Sequence, residues 1–135
     1  MVAVVLWCTT TTAGCASGDG AASTPGAPGV IAVTMTDNRF EVPTLTVAVG
    51  DVVTFRFTNL GAVQHEAVVG DEMFQMGHMD HQHMPGDVMA NSIMVQPGGI
   101  ADLTYRFDQS GVVLIGCHEP GHYEDGMVAT INVTG

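Results

Sequence analysis

Three donor side chains stand at even spacing near the end of the chain: the thiol of Cys117, the imidazole of His122 and the thioether of Met127. Thiolate and thioether are soft ligands, and neutral imidazole binds many first-row metals, so the set suits copper. Two imidazoles and one thiolate in a plane, with a long axial thioether, form an electron-transfer site. The stretch 116–127 supplies three of those four donors, and the fourth must be a His far upstream. The competing reading is a buried free Cys beside a surface His and a core Met.

Those donors need a frame. The apolar run Val112-Val113-Leu114-Ile115 leads into the stretch, and the alternating run Met127 to Val133 leads out. Strand, ligand loop, strand is the simplest arrangement. Upstream, strands are expected over Val30–Thr36, Leu45–Val49, Val52–Thr58, His65–Val69, Ser92–Val95, Ala101–Phe107 and Val112–Cys117. In the third of these Val53, Phe55 and Phe57 share one face. The segment Phe40, Val42, Pro43 reads as a kinked edge, because Pro cannot sit in a central ladder. Many short strands parted by Gly, Pro, Asn and Asp turns indicate an all-β, antiparallel sandwich. Neither a long helix nor an internal repeat is expected.

The pattern Cys-x-x-Pro-Gly-His-x-x-x-Gly-Met at 117–127 resembles the loops of the cupredoxins, the small blue copper proteins, and is most like those of rusticyanin-like and sulfocyanin-like members. The resemblance implies a Greek-key β-sandwich of two sheets over residues 30–135. It also implies an upstream His ligand that follows a strand and a turn and opens the next strand. His65 has that setting, while His78, His81 and His83 are rivals in a polar, Met-rich stretch. The implied type 1 copper site is His65, Cys117, His122 and Met127, with no catalytic residue and no enzymatic activity. A multicopper oxidase would need further His pairs, and a dinuclear centre a second Cys in the loop. Many family members carry Asn or Ser after the upstream His and Ser or Thr after the Cys; this chain has Glu66 and His118.

Residues 73–84, with four Met and three His in twelve positions, read as a Met/His-rich loop insertion in which Gly77, Pro85 and Gly86 keep any helix short. Met73, Met76, His78, Met79, His81, His83 and Met84 could together hold a second, weaker Cu(I) ion. The other use of the segment is a lid whose thioethers pack on apolar surface.

The N-terminus points to export. Residues 1–14 hold a short apolar run, too short for a bilayer span of about 20 residues. They read as a secretion signal of lipoprotein type, ending in Thr12-Ala13-Gly14 before Cys15. Cys15 is the expected lipidation site, and residues 15–29 form a small, turn-rich tether reaching roughly 45 Å at ~3.3 Å per residue. Cys8 lies in the leader and Cys117 is claimed for metal, so no disulfide framework is expected. The charge is lopsided, with Lys+Arg 3 against Asp+Glu 14 and a formal −11. That argues against nucleic acid and suits a basic partner. The combined expectation is an exported, membrane-tethered one-electron carrier with a redox partner protein, lying on the outer face of the cytoplasmic membrane or in the periplasm. The alternative is a copper chaperone or scavenger working through residues 73–84.

Overall fold

A computed structural model describes residues 29–80 and 91–135. Nine strands run in the order β1 (Val30–Thr36), β2 (Arg39–Glu41), β3 (Thr46–Ala48), β4 (Val52–Asn59), β5 (His65–Gly70), β6 (Ser92–Val95), β7 (Ile100–Arg106), β8 (Gly111–Gly116) and β9 (Val128–Thr134). One helix, α1 (Glu72–Asp80), lies between β5 and β6. The strands form two sheets, β2-β1-β4-β7 and β3-β9-β8-β5-β6, packed face to face as a sandwich.

Side-chain alternation builds the core. On β4, Val53, Phe55, Phe57 and Asn59 are buried while their neighbours face outward. Phe57 meets Phe40 edge-on at 6.4 Å, and Phe55 lies 6.2 Å from Phe57. The opposing sheet contributes Val113, Ile115, Ala129, Ile131 and Val133. β2 is an edge strand, so Pro43, just beyond it, breaks no internal ladder.

Two expectations need correction. The sheets are mixed rather than antiparallel throughout, since β1 pairs with β4 and β3 with β9 in parallel. The chain leaves one sheet after β2 and enters the other at β3, and such a crossing permits parallel neighbours that a hairpin cannot make. The second correction concerns the Met/His-rich insertion. Its first part is helical through Asp80, Gly77 included. Asp71 Oδ1 caps that helix by accepting from the Phe74 amide at 2.8 Å, and the Phe74 ring packs at Gly70, where a Cβ would stand 2.5 Å from it. Residues 81–84 of that segment, like the leader, Cys15 and the tether, lie outside the described residues.

α1 explains why every residue of β5 is buried. Ala67 and Val69 face the sandwich core, and the intervening residues face the helix. The Gln75 amide donates to the carbonyls of Val68 at 2.9 Å and Leu114 at 3.2 Å, riveting α1 across β5 and β8.

Candidate metal centre

His65 is the first residue of β5, and Cys117 and Met127 immediately flank β8 and β9. Three strand ends therefore converge at one pole of the five-stranded sheet. The register puts Gly116 opposite both Val68 and Val128, which brings the loop beside the start of β5. The loop is closed on itself. Cys117 N–H donates to Met127 O at 3.1 Å, Met127 N–H to His122 O at 2.9 Å, and His122 N–H to Glu119 O at 3.0 Å. Gly121 and Gly126 take φ of +85° and +92°, which side-chain-bearing residues rarely adopt. The donor residues are thus tied to one another through the backbone.

One donor atom from each of His65, Cys117 and His122 lies within 4.8 Å of the others. Cys117 Sγ is 3.5 Å from His122 Nδ1 and 3.9 Å from His65 Nδ1. With metal–sulfur and metal–nitrogen bonds of about 2.3 and 2.0 Å, a trigonal arrangement separates such atoms by about 3.7 Å. Cys117, Met127 and His65 are all fully buried. The donors fit a copper ion in chemistry and in spacing.

Upstream, Asn59 carries the load of placing His65. Its Nδ2 donates to Val63 O at 2.8 Å and Val95 O at 2.9 Å, and its Oδ1 accepts from Gly61 N–H at 2.8 Å. Gly61 is needed because a Cβ there would stand 2.9 Å from His65 Nε2. Asp37 Oδ1 lies 3.6 Å from the same Nε2.

Burial, with His122 nearby, holds the His65 pKa below the ordinary histidine value, against the pull of Asp37 and Glu119. The imidazole is thus kept neutral, as a ligand must be. Burial also pushes the Cys117 thiol up, opposed by the backbone amides of Glu66 and Glu119. The Glu66 amide donates to Sγ at 3.5 Å. Pro120 has no N–H to offer, and the amides that reach the sulfur come from a strand 51 residues away and from the residue before that proline.

The second group of sequence candidates divides. Met73 and Met76 are exposed beside Val112 and Leu114, whereas His78 is buried and faces Glu66 of β5. Met79 lines the same cleft as His78. His81, His83 and Met84 lie outside the described residues. Missed altogether was the convergence of His78 with the two departures from the family pattern, Glu66 and His118. Part of the signal was present: Glu66 follows His65 within β5 and so must face the other way, whereas His118 lies beyond the end of β8 and carries no such mark.

The architecture and donor set define a cupredoxin with a type 1 copper site. Residues 29–134 match the copper-binding proteins of the plastocyanin/azurin family, and the chain belongs to that family. Among curated proteins it is 30% identical over 107 residues to a copper-resistant cuproprotein CopI of Rubrivivax gelatinosus, covering 76% of this chain and 65% of that protein. It is 31% identical over 135 residues to the Pseudomonas aeruginosa protein of the same name, covering 76% of this chain and 75% of the relative. Among solved structures, reduced auracyanin from Roseiflexus castenholzii superposes with a TM-score of 0.67 at 22% identity, over 82% of this chain and all of that one. Auracyanin A of Chloroflexus aurantiacus gives 0.62 at 25%, over 80% of this chain and all of that one.

Proposed function

We propose that this protein is a one-electron carrier working outside the cytoplasm, with copper held by His65, Cys117 and His122 and by an axial Met127. The observation that carries the reading is the closed loop. Backbone hydrogen bonds tie Cys117 to Met127 and Met127 to His122, and His65 is delivered by a separate strand. A donor set fixed in this way changes little when copper changes charge, which keeps the reorganisation cost of electron transfer small. Copper supplies the redox couple. The protein excludes water, keeps the buried His65 imidazole neutral and aims two amides at the sulfur.

Copper(II)-loaded protein is expected to show an intense thiolate-to-copper band in the red part of the visible spectrum. Cys117→Ser abolishes it, and His65→Ala or His122→Ala shifts or removes it. A band that survives Cys117→Ser rejects the assignment.

Tethering is part of the same reading. It rests on the small residues before Cys15 and the turn-rich stretch after it. Among the described residues no helix is long and apolar enough to cross a membrane. Cys15→Ser should move the protein from membranes to the soluble fraction. Equal membrane association of both forms discards the tether.

A second reading, copper handling, is favoured by the likeness to copper-resistant cuproproteins and by the exposed thioethers of Met73 and Met76. It requires copper to leave on the timescale of transfer to a competing chelator, whereas a carrier retains its ion through many redox cycles.

A further inference from the structure

Gln75, one turn into α1, is a fully buried amide. Burying an amide is costly unless both of its ends are hydrogen-bonded. Its Nε2 donates to the carbonyls of Val68 at 2.9 Å and Leu114 at 3.2 Å. That uses both N–H groups and leaves Oε1 as an acceptor only. Oε1 lies 2.7 Å from His118 Nε2, so His118 donates to it. One side chain thus joins α1 to β5, the strand that begins with His65, to β8, and to the residue that follows Cys117.

The contact continues inside the ligand loop. The His118 ring stacks on that of Tyr123 at 4.7 Å with planes 13° apart, and Tyr123 follows His122. On the other side of Cys117, Gly116 leaves the space that Gln75 and Tyr123 occupy. A Cβ there would stand 2.6 Å from Gln75 Oε1 and 2.7 Å from Tyr123 Cε2. Gln75 therefore meets the residue before Cys117 and the residue after it. Backbone bonds fix Cys117, His122 and Met127 to one another. Gln75 adds a side-chain tie from that loop to the strand that delivers His65.

We propose that Gln75 is a positioning residue for the thiolate of Cys117, acting through His118 and Tyr123, and that α1 is thereby a working part of the copper centre. Gln75 has this role only if His65, Cys117, His122 and Met127 hold type 1 copper, as proposed above. Hydrogen bonds one step out from the donors hold them in the geometry that the metal needs, and losing such a bond costs about 10–100-fold in affinity or activity. Freed from Gln75, the His118–Tyr123 pair shifts, and the sulfur shifts with the backbone that joins them. The donors then rearrange when copper changes charge, and electron transfer slows.

The test uses the full chain loaded with Cu(II). Gln75→Met keeps the length of the side chain and loses both hydrogen-bonding ends, whereas Gln75→Glu keeps an oxygen for His118. Gln75→Met should change the visible band, widen the copper hyperfine splitting in electron paramagnetic resonance and slow electron self-exchange about tenfold or more. Gln75→Glu should keep all three near the wild-type values. His118→Phe keeps the stack on Tyr123, loses the bond to Gln75 and should behave as Gln75→Met does; it takes the place of that variant if Gln75→Met does not fold. Val133→Ala removes core volume at the far end of β9 from Met127, so it controls for loss of stability alone and should leave all three readouts unchanged. Gln75→Met or His118→Phe indistinguishable from wild type overturns the proposal while the type 1 reading stands. So does Gln75→Glu as altered as Gln75→Met, or Val133→Ala with the same changes. A wild-type protein without the visible band overturns both readings.

Discussion

At the scale of single residues, protons decide when the type 1 site accepts metal. The Cys117 thiol is raised by burial and binds copper only as thiolate. One proton must therefore leave for each copper bound, and above the histidine range the affinity for copper should rise about tenfold per pH unit until the thiol itself ionises. Competition against a chelator at several pH values measures this slope; a flat profile would mean the thiolate is already formed in the apo protein. His65 acts on stability. Its folded-state pKa lies below the unfolded value of about 6.5, so the unfolded chain takes up a proton that the fold refuses. Apo-protein stability is therefore complete above that pH and declines as pH falls below it. Thermal melts from pH 7.5 to 5 should show the decline, with a shallower slope in His65→Gln. Asn59 is the other sensitive position. Asn59→Ala leaves the Val63 and Val95 carbonyls and the Gly61 amide without their partner. A loss of about 2–4 kcal/mol in urea unfolding is expected, with a broadened copper spectrum because the turn before His65 loosens.

At the scale of elements, α1 depends on one small residue of the strand beneath it. A Cβ on Gly116 would stand 2.6 Å from Gln75 Oε1 and 2.7 Å from Tyr123 Cε2. The backbone there is extended, so the constraint is one of space alone. Gln75 cannot retreat without breaking its bonds to β5 and β8. Gly116→Ala should therefore cost about 1–3 kcal/mol, as overpacking of a filled site does, and should raise amide exchange in α1 more than in β1 or β4. Equal exchange in all three would show that the helix is not anchored at this point.

At the scale of the whole molecule, the formal charge of −11 governs encounter. Two of the three arginines are matched locally, Arg56 by Asp102 at 2.7 and 2.8 Å and Arg106 by Asp108 at 2.7 Å. The long-range field is therefore negative. A cationic inorganic redox complex should oxidise the copper(I) form faster than an anionic one of matched potential. Its advantage should shrink as ionic strength rises and the Debye length falls toward about 8 Å at 0.15 M. Rates that increase with salt for the cationic reagent would contradict this.

The same scales separate what could be read from the chain and what could not. Cys117, His122 and Met127 were legible because one loop carries them, and their spacing is a local property. The strands were legible because burial on one face of a pleated sheet imposes period two, as at Val53, Phe55 and Phe57. His65 could be placed only by the family resemblance, since nothing local separates it from His78, His81 or His83. The parallel pairings of β1 with β4 and β3 with β9 were not legible, because pairing partners far apart in sequence leave no mark on either strand alone. Nor was the helix at Glu72–Asp80, where contact with β5 and β8 outweighs the helix-weakening Gly77. Above all, the chain by itself determined that Glu66, next to His65 in a strand, faces away from that donor, but set no direction for His118, which lies beyond the end of β8. Only the tertiary structure decided what they face, because bringing His78 against them takes a helix folded back over two strands.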